Sequence, residues 1–463
     1  MPERKYNYYD FTLSLCPECL KRVDAKIVFE DDKVYMLKRC REHGNSRVLI
    51  ADDIEFYKSI RNYNKPSEMP YTFNTKTDYG CPYDCGLCPD HEQHSCLTVV
   101  EVTDRCNLTC PTCYAGSSPT YGRHRTLDEV KAMLDAVVKN EKEPDVVQIS
   151  GGEPTIHPQF WEILDYAKSL PIRHLMLNTN GIKIAKDIAF TERLKGYTPD
   201  FEIYLQFDSF EDNVLRELRG ADLSEIRKQA LDNLNKVNLS TTLVVTLQKG
   251  LNDHEIGKVI DYALRQKCVR GVTFQPTQIA GRLESFNPET DRMTLTEVRR
   301  KIMEQTDVFN ANDLIPVPCN PDALVMGYAL KLNGEVFPLT RYINPNDLLD
   351  TSKNTIIYEQ DEALHGKMIA LFSTGNSVEV AEENLKSIMC CLPNIDAPEL
   401  GYDNLFRVII MQFIDAYNFD VRAIKKSCVH IVNKDNKIIP FETMNLFYRD
   451  DKKEYLEKLR QEI

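Results

Sequence analysis

Apolar and polar positions alternate with two different periods through the middle of the chain. Short apolar runs with strand character alternate with amphipathic segments that have helical spacing. Thr126 and Glu129 form a capping box at the start of the first such helix. This alternation predicts six β/α units with right-handed crossovers and a parallel, curved or barrel-like sheet. The predicted strands are 97–103, 145–150, 174–179, 202–207, 241–247 and 271–274, and the predicted helices are 127–139, 157–170, 182–194, 223–237 and 253–266.

Unusual groups follow all six predicted strands. In folds of this kind, the chemistry lies at the carboxyl ends of the strands. The first strand leads into three cysteines, and the others end in Ser-Gly-Gly-Glu-Pro (150–154), Asn-Thr-Asn-Gly (178–181), Gln-Phe-Asp-Ser (206–209), Thr-Leu-Gln-Lys-Gly (246–250) and Phe-Gln-Pro (274–276). Each group alone is ordinary turn chemistry, but together on one rim they indicate a functional site.

The three cysteines after the first strand have a specific spacing. Cys106, Cys110 and Cys113 form Cys-x3-Cys-x2-Cys and are followed by Tyr114. Three thiolates can bind three irons of a cubane cluster and leave the fourth iron open for a substrate. The alternative is a fragment of a zinc site, so the context of the strand ends decides between them.

Cysteine usage in the whole chain points to metal binding. The chain has 463 residues and 15 cysteines, most of them in tight groups. The amino terminus is charged and has no apolar signal segment, which predicts a cytoplasmic protein with few disulfides. The longest apolar run, 405–414, contains Arg407 and is too short to span a bilayer.

The charge balance excludes one class of partner. Acidic residues outnumber basic ones by 70 to 57, which gives a net charge of −13. A non-specific nucleic-acid binder needs a basic face, so no nucleic-acid partner is expected. Apolar residues make up 42% and charged residues 27%, which is typical of a globular chain.

Two further cysteine sets precede the predicted barrel. Cys16, Cys19, Cys40 and His43 have the spacing of a closed tetrahedral site for zinc or a single iron, flanked by predicted strands 25–30 and 33–38. We expect this ribbon site to be structural. The second set lies on a loop rich in glycine and proline, where an iron–sulfur cluster is favoured over zinc. Its cysteines are Cys81, Cys85, Cys88 and Cys96.

The triplet and Gly151-Gly152-Glu153 resemble the radical S-adenosylmethionine enzymes over residues 97–282. The resemblance implies a partial (β/α)6 barrel and a 4Fe–4S cluster whose open iron is chelated by S-adenosylmethionine. Gly151, Gly152 and Glu153 would meet the methionine end, and Tyr114 would pack near the adenine. Asn180 and Asp208 are candidates for the ribose hydroxyls, and Gln275 for the adenine edge.

The same resemblance implies the reaction. A reductant such as ferredoxin or flavodoxin would supply an electron that cleaves S-adenosylmethionine to a 5′-deoxyadenosyl radical. That radical would functionalise an unactivated carbon of a small molecule or lipid. The protein would orient the reactants and exclude water.

A narrower resemblance covers nearly the whole chain. The sequences at 40–44, 78–82 and 317–320 are similar to the archaeal tetraether lipid synthases and their relatives, a group once assigned as pterin methylases. This similarity favours C–C bond formation or alkylation on a lipid chain, and it leaves peripheral contact with a membrane open. Methylation of a pterin-like molecule, peptide modification and a multi-zinc scaffold without catalysis are the alternatives.

The resemblance also implies a C-terminal cluster site. That group is expected to have Pro-Phe-Cys near the C-terminus, where this chain has Glu442. One or two auxiliary clusters are therefore expected, and the second would use Cys319, Cys391 and Cys428, with Cys390 as a further candidate. The expected domains are a ribbon (1–60), a cluster loop (61–96), the barrel (97–285) and an α+β C-terminal domain (286–463).

Overall fold

The amino-terminal residues form an antiparallel ribbon. In the computed structural model, which describes residues 5–65, 68–284, 286–332, 334–341 and 402–463, the ribbon strands pair in chain order. Side chains of Ala25, Ile27 and Met36 alternate inward and form a small core. The two inner strands match the predicted ones, and the outer two were not predicted. The elements are β1 (Asn7–Leu15), β2 (Arg22–Glu30), β3 (Lys33–Cys40), β4 (Gly44–Ala51) and α1 (Ile54–Ser59).

The middle of the chain forms the predicted β/α alternation. Six parallel strands are hydrogen-bonded in the order β5-β7-β8-β9-β10-β11, which confirms the α/β class and the partial barrel. The elements are β5 (Leu97–Thr103), β6 (Thr112–Cys113), α2 (Leu127–Glu141), β7 (Val146–Gly151), α3 (Phe160–Ser169), β8 (His174–Thr179), α4 (Ile182–Lys186), α5 (Ile188–Lys195), β9 (Phe201–Gln206), α6 (Asp212–Arg219), α7 (Ser224–Val237), β10 (Thr241–Leu247), α8 (Ile256–Leu264) and β11 (Val269–Pro276).

Two helices differ from the prediction. The segment 182–194 was predicted as one helix, but it divides at Asp187, whose carboxylate accepts from the N–H of Phe190 and caps α5. Helix α6 was missed because it is only 8 residues long and mostly polar. Its apolar residues Val214, Leu215 and Leu218 are nevertheless buried against the barrel.

The C-terminal region extends the barrel sheet on both edges. One strand pairs in parallel with β11 and another pairs in parallel with β5. The strands Leu324–Leu332 and Glu335–Pro338 pair antiparallel as a hairpin. The elements are β12 (Arg282–Leu283), α9 (Leu295–Gln305), β13 (Ile315–Pro316), β14 (Leu324–Leu332), β15 (Glu335–Pro338), β16 (Leu405–Met411), α10 (Val421–Lys425), β17 (Val429–Val432), β18 (Ile438–Pro440), α11 (Phe441–Thr443) and α12 (Lys453–Gln461).

A buried ion pair joins the barrel to the added strand β16. Arg407 donates to both carboxylate oxygens of Glu202 at 2.9 and 2.8 Å, and both side chains are buried. Gly271 lies opposite Arg407, where a Cβ would be 2.5 Å from the Arg407 carbonyl oxygen. One sheet thus joins the barrel to the C-terminal region. The expected division of the chain into four domains remains a prediction.

The core of the barrel is apolar and continuous. Cys268 is fully buried in it and lies outside every group of metal-ligating side chains found in the described residues. Within those same residues, no helix has the length and apolar character needed to cross a membrane.

Candidate active site

The cysteine triplet lies at the carboxyl ends of the barrel strands, as the sequence predicts. It occupies the loop between β5 and α2, and all three cysteines line one cavity together with Gly151 and Gly152. Cys106 and Cys110 are buried, and Cys113 is half-buried. The strand order therefore places the thiols and the Gly-Gly turn of β7 side by side.

The spacing of the three thiols suits a cluster rather than one ion. Among the described residues, the groups whose ligand atoms all lie within 4.8 Å of one another do not include this triplet. A single tetrahedral ion needs ligand atoms about 3.8 Å apart. Burial raises the pKa of Cys106 to about 12, so a cation is needed to hold it as a thiolate. Three soft ligands around one cavity fit a polynuclear iron–sulfur group.

The two glycines of the rim allow the backbone of the triplet loop to approach. A Cβ on Gly151, which has φ +130°, would lie 2.2 Å from the Thr103 carbonyl oxygen, and one on Gly152 would lie 2.1 Å from that of Arg105. The N–H of Gly152 donates to the Thr103 carbonyl at 2.8 Å. The glycines line the cavity, but their close contact is with the loop that carries the triplet.

Glu153 lies behind the cavity wall rather than on it. Its Oε1 accepts from the Thr155 N–H and hydroxyl and from the Thr179 hydroxyl, and its Oε2 accepts from the Asn180 N–H. Burial raises the pKa of Glu153. These bonds tie the ends of β7 and β8 together, and the expected direct contact of Glu153 with the methionine ammonium stays a prediction.

The carboxylate of Asp208 is also occupied by hydrogen bonds within the protein. Arg219 donates from Nε to Oδ2 at 2.8 Å and from Nη2 to Oδ1 at 2.6 Å, and the carboxylate is fully buried. Burial alone would raise the pKa of Asp208, but the charges of Arg219 and Arg227 bring it below its usual value. Asp208 is absent from the residues that line the cavity, and its expected contact with the ribose stays a prediction.

Two arginines at the cavity were missed by the sequence analysis. Arg219 and Arg227 both line it, and Arg227 is only 1% exposed. Arg227 donates to the Asn180 carbonyl, while its Nε and Nη2 have no hydrogen-bond partner among the described residues. Arg219 is the last residue of helix α6, which was not predicted. Its place at the cavity could be inferred only by placing that helix against the barrel rim.

Three expected S-adenosylmethionine contacts do line the cavity. The Tyr114 hydroxyl is 3.5 Å from the Ser150 hydroxyl, and its ring centroid is 4.9 Å from that of Phe441. The Asn180 amide donates to Asn107 at 2.6 Å, and Gln275 donates to the Tyr204 hydroxyl at 3.1 Å. Their roles toward the adenine and ribose stay predictions.

The deeper cavity has one polar and one apolar wall. Amide side chains from strands β7, β8, β9 and β11 form the polar wall, where Gln206 donates to Asn178 at 2.9 Å and the Gln148 Nε2 is buried without a hydrogen-bond partner in the described residues. The polar wall consists of Gln148, Asn178, Gln206 and Gln275. The apolar wall consists of Leu97, Val99, Met411, Phe413, Val429 and Phe441.

Arg282 follows the last barrel strand and binds the triplet loop through hydrogen bonds. Its guanidinium donates to the carbonyl oxygens of Cys110 at 2.6 Å, Ser117 at 2.7 Å and Gly116 at 3.3 Å. The short strands β6 and β12 pair Cys113 with Arg282. A lone arginine after the last strand carried no signal of this role in the sequence.

The ribbon site is compact, and its ligands match the predicted set. Cys16 Sγ and Cys40 Sγ each lie 3.6 Å from His43 Nδ1, and Cys19 Sγ lies 3.8 Å from Cys40 Sγ. A tetrahedral zinc with ordinary bond lengths needs separations of about 3.5–3.8 Å. The geometry is compatible with one zinc or one iron.

The four cysteines of the second predicted set lie at two different sites. Cys81, Cys85 and Cys88 line one small pocket. Cys96 instead lies with Cys319 and Cys428, all three Sγ atoms being within 4.8 Å of one another. Strand pairing is the reason: β17 pairs with β5, and the Leu97 N–H donates to the Cys428 carbonyl at 3.0 Å. The expectation of one four-cysteine cluster on this loop is thus corrected.

Polar groups surround the Cys96 site, at the opposite end of β5 from the triplet. Cys319 Sγ is 3.3 Å from Cys428 Sγ, and His94 Nε2 is 3.4 Å from Cys96 Sγ. The His94 side chain is buried. Glu442 is also buried and accepts from Ser427 at 3.0 Å. Cys390 and Cys391 lie outside the described residues, and this second auxiliary site stays a prediction.

Comparisons with known proteins agree with this architecture. Residues 100–263 match the Radical SAM superfamily, and residues 8–52 match a family described as the HMPTM N-terminal zinc ribbon domain. A 7,8-dihydro-6-hydroxymethylpterin dimethyltransferase of Methanocaldococcus jannaschii is 32% identical over 96% of this chain and 94% of its own length.

More distant relatives cover only part of the chain. The mycofactocin maturase MftC of Mycolicibacterium smegmatis is 29% identical over 33% of this chain and 38% of its own. A GTP 3′,8-cyclase of Pseudomonas fluorescens is 24% identical over 46% of this chain and 63% of its own. The crystal structure of Streptococcus suis SuiB bound to S-adenosylmethionine aligns with a TM-score of 0.39 and 17% identity, covering 46% of this chain and 47% of that one.

Proposed function

We propose a function from one premise: the chain belongs to the radical S-adenosylmethionine superfamily and, within it, to the family of the Methanocaldococcus dimethyltransferase. Within that chemistry, we propose that the protein alkylates, by methylation, an unactivated carbon of a small polar heterocycle of the pterin kind. A cluster bound by Cys106, Cys110 and Cys113 would supply the electron that cleaves S-adenosylmethionine at the cavity. A ferredoxin or flavodoxin is the proposed source of that electron.

The two cavity arginines support the binding step. Thiolates and the methionine carboxylate are anionic, and buried anions need compensating charge. Arg227 lines the cavity, and its Nε and Nη2 make no hydrogen bond within the described residues, although Nη2 lies 3.8 Å from Asp208 Oδ2. We propose that Arg227 receives the carboxylate, while Arg219 neutralises Asp208 and lies beside Cys110.

The polar wall of the cavity favours a heterocycle as the substrate. A pterin ring needs several convergent donors and acceptors, and four amides from the barrel strands β7, β8, β9 and β11 would supply them. The Gln148 Nε2, which is buried without a hydrogen-bond partner in the described residues, is the observation on which the proposal rests most. The cavity has about 170 Å³, so a long chain would have to extend beyond it.

Product analysis tests the proposal. The anaerobic, dithionite-reduced protein is incubated with a reduced hydroxymethylpterin and S-adenosylmethionine labelled with ¹³C in its methyl group. Reductive cleavage leaves the methyl group on methionine, so a second S-adenosylmethionine would donate the labelled methyl to the substrate radical, take up one further electron and leave as S-adenosylhomocysteine. We expect 5′-deoxyadenosine, S-adenosylhomocysteine and a pterin heavier by the labelled carbon. Gln148→Leu should raise the KM for the pterin by about tenfold, and leave cleavage of S-adenosylmethionine in its absence unchanged. Deoxyadenosine without any labelled pterin would reject this substrate class.

A lipid chain is the second candidate substrate. The apolar wall favours it, because Leu97, Val99, Met411, Phe413, Val429 and Phe441 line the cavity together. Burying an acyl or isoprenoid chain there would contribute roughly 0.8 kcal/mol per methylene. In the same assay with phospholipid in detergent, labelled or coupled lipid in place of labelled pterin would establish C–C bond formation on lipids. Peptide modification has no specific observation in its favour.

A further inference from the structure

The outer face of the ribbon sheet is exposed and partly apolar. Phe11 and Leu13 of β1 are 47% and 39% exposed. Pairing places Lys26 of β2 beside Phe11 and Leu37 of β3 beside Lys26. The opposite face packs into the protein, where the Lys38 ammonium donates to the Leu15 and Ala416 carbonyls. One face of this sheet therefore lacks a packed partner among the described residues.

The charge of this face is opposite to that of the whole chain. Lys26, Arg39 and Arg41 are exposed there, and none forms an ion pair within the described residues. Of the acidic residues that line the same face, Asp24 is exposed and Glu42 is paired with Lys21 at 2.7 Å, so positive charge is in excess. The chain as a whole carries a net charge of −13. A basic, partly apolar face on an acidic protein is complementary to a protein with an acidic rim.

The same face borders the cysteine loop. The N–H of Arg22 donates to the Tyr83 hydroxyl at 3.0 Å, and Tyr83 lies between Cys81 and Cys85 in the chain. The Arg22 guanidinium reaches within 3.6 Å of the place a Cβ would take on Gly80, next to Cys81. A partner on the ribbon face would therefore lie beside this metal-binding loop.

We propose that this face docks an acidic one-electron donor protein. The proposal rests on the proposed function, because the radical reaction needs one electron from outside. The reduced donor loses one electron, and the metal group that Cys81, Cys85 and Cys88 would hold gains it; no covalent bond forms or breaks in this step. The position next to Cys81 favours a redox partner over an anionic membrane or a nucleic acid, which supply no electron.

Charge reversal tests the docking surface. The variant is Lys26→Glu/Arg39→Glu, and its matched control is Lys228→Glu/Lys267→Glu, which reverses two exposed lysines elsewhere on the barrel. The probe is an acidic flavodoxin at low ionic strength. We expect the Kd for flavodoxin to rise at least tenfold in the ribbon variant only, with a weaker salt dependence. Flavodoxin-driven deoxyadenosine formation should fall in parallel, while the dithionite-driven rate stays at the wild-type level.

The possible results of this experiment test the docking surface and the proposed function independently. Equal flavodoxin affinities in the ribbon variant, the control and the wild type would reject the surface. A loss of affinity only for phosphatidylglycerol vesicles or for RNA would also reject it, in favour of those partners. If wild-type protein forms no deoxyadenosine with dithionite, the proposed function fails, and the flavodoxin affinities still decide whether this face binds the donor.

Discussion

The ribbon site and the triplet site use the same ligand in different ways. In the ribbon, Cys19 and Cys40 lie 3.8 Å apart and His43 closes the set, so the four ligand atoms leave no position open. At the barrel rim, Cys106, Cys110 and Cys113 are spread around a cavity that continues to two different walls. Both sites contain a Cys-x2-Cys pair, so the pair alone does not distinguish them.

The difference shows that ligand separation sets the kind of metal group. A compact closed set suits one ion whose role is to hold a small sheet together. An incomplete set beside a cavity suits a cluster with one iron free for a ligand. The surroundings follow the same division, since the ribbon site lies at the protein surface and the triplet lies among buried arginines.

The largest effect is expected from removing the triplet. Cys106→Ala/Cys110→Ala/Cys113→Ala should abolish deoxyadenosine formation, because no electron reaches S-adenosylmethionine without the cluster. Iron and sulfide should fall by the content of one cubane, while the ribbon ion stays. Metal and sulfide analysis with a deoxyadenosine assay measures both. Cys268→Ala is the control, because that thiol lies in the core and outside the metal-ligating groups of the described residues; equal iron losses in both variants would contradict the assignment.

Removing the ribbon ion should destabilise the ribbon and leave the reaction at the triplet nearly unchanged. Cys16→Ser/Cys40→Ser eliminates two of the four ligands, and structural zinc contributes on the order of 10 kcal/mol in isolated fingers. We expect β1–β4 to lose their hydrogen-exchange protection, while dithionite-driven cleavage of S-adenosylmethionine stays within about threefold of wild type. An unaltered ribbon in hydrogen-exchange mass spectrometry would mean that the ion is dispensable for the fold.

Arg227 offers a smaller but more specific test of the rim. Arg227→Met removes a buried charge-assisted bond worth about 1.5–3 kcal/mol, so the Kd for S-adenosylmethionine should rise by about 10–100-fold. Arg227→Lys should recover part of the loss, and Lys228→Met should change nothing. Calorimetry on cluster-loaded protein measures the affinities. A wild-type Kd in Arg227→Met would remove this residue from the binding site.

Glu153 should have the smallest effect on binding. Because its oxygens are occupied by Thr155, Thr179 and Asn180, Glu153→Gln should alter the Kd for S-adenosylmethionine less than about threefold, at a cost of about 1–3 kcal/mol in stability. Burial raises its folded pKa, so the wild type should lose stability as pH rises above the usual carboxyl range, and the variant should not. A tenfold weaker Kd would restore direct contact with the ligand.

The barrel could be predicted from the sequence because its signals are local. β5, β8 and β10 begin and end at the predicted residues, since each is a short apolar run bounded by turn residues. The position of the triplet and of Gly151 on one rim followed from the parallel strand order alone. These features depend on periodicity and on a single topological rule.

The pairing of distant segments could not be predicted in this way. Cys96 was grouped with its neighbours in the chain, but β17 brings Cys428 to it from more than 300 residues away. Asp208 and Glu153 were predicted to contact S-adenosylmethionine, and their protein partners Arg219 and Thr179 could not be foreseen because they come from other elements. Side-chain partners across strands decide which polar groups remain free for a ligand.

The most direct test of the central claim is the electron–nuclear double resonance spectrum of the reduced protein with S-adenosylmethionine labelled with ¹⁵N at its amino group. The account predicts a reduced 4Fe–4S signal with a ¹⁵N coupling, which disappears in Cys106→Ala/Cys110→Ala/Cys113→Ala and persists in Cys16→Ser/Cys40→Ser. A reduced cluster signal without ¹⁵N coupling, or a coupling that survives loss of the triplet, would contradict an open iron at the barrel rim.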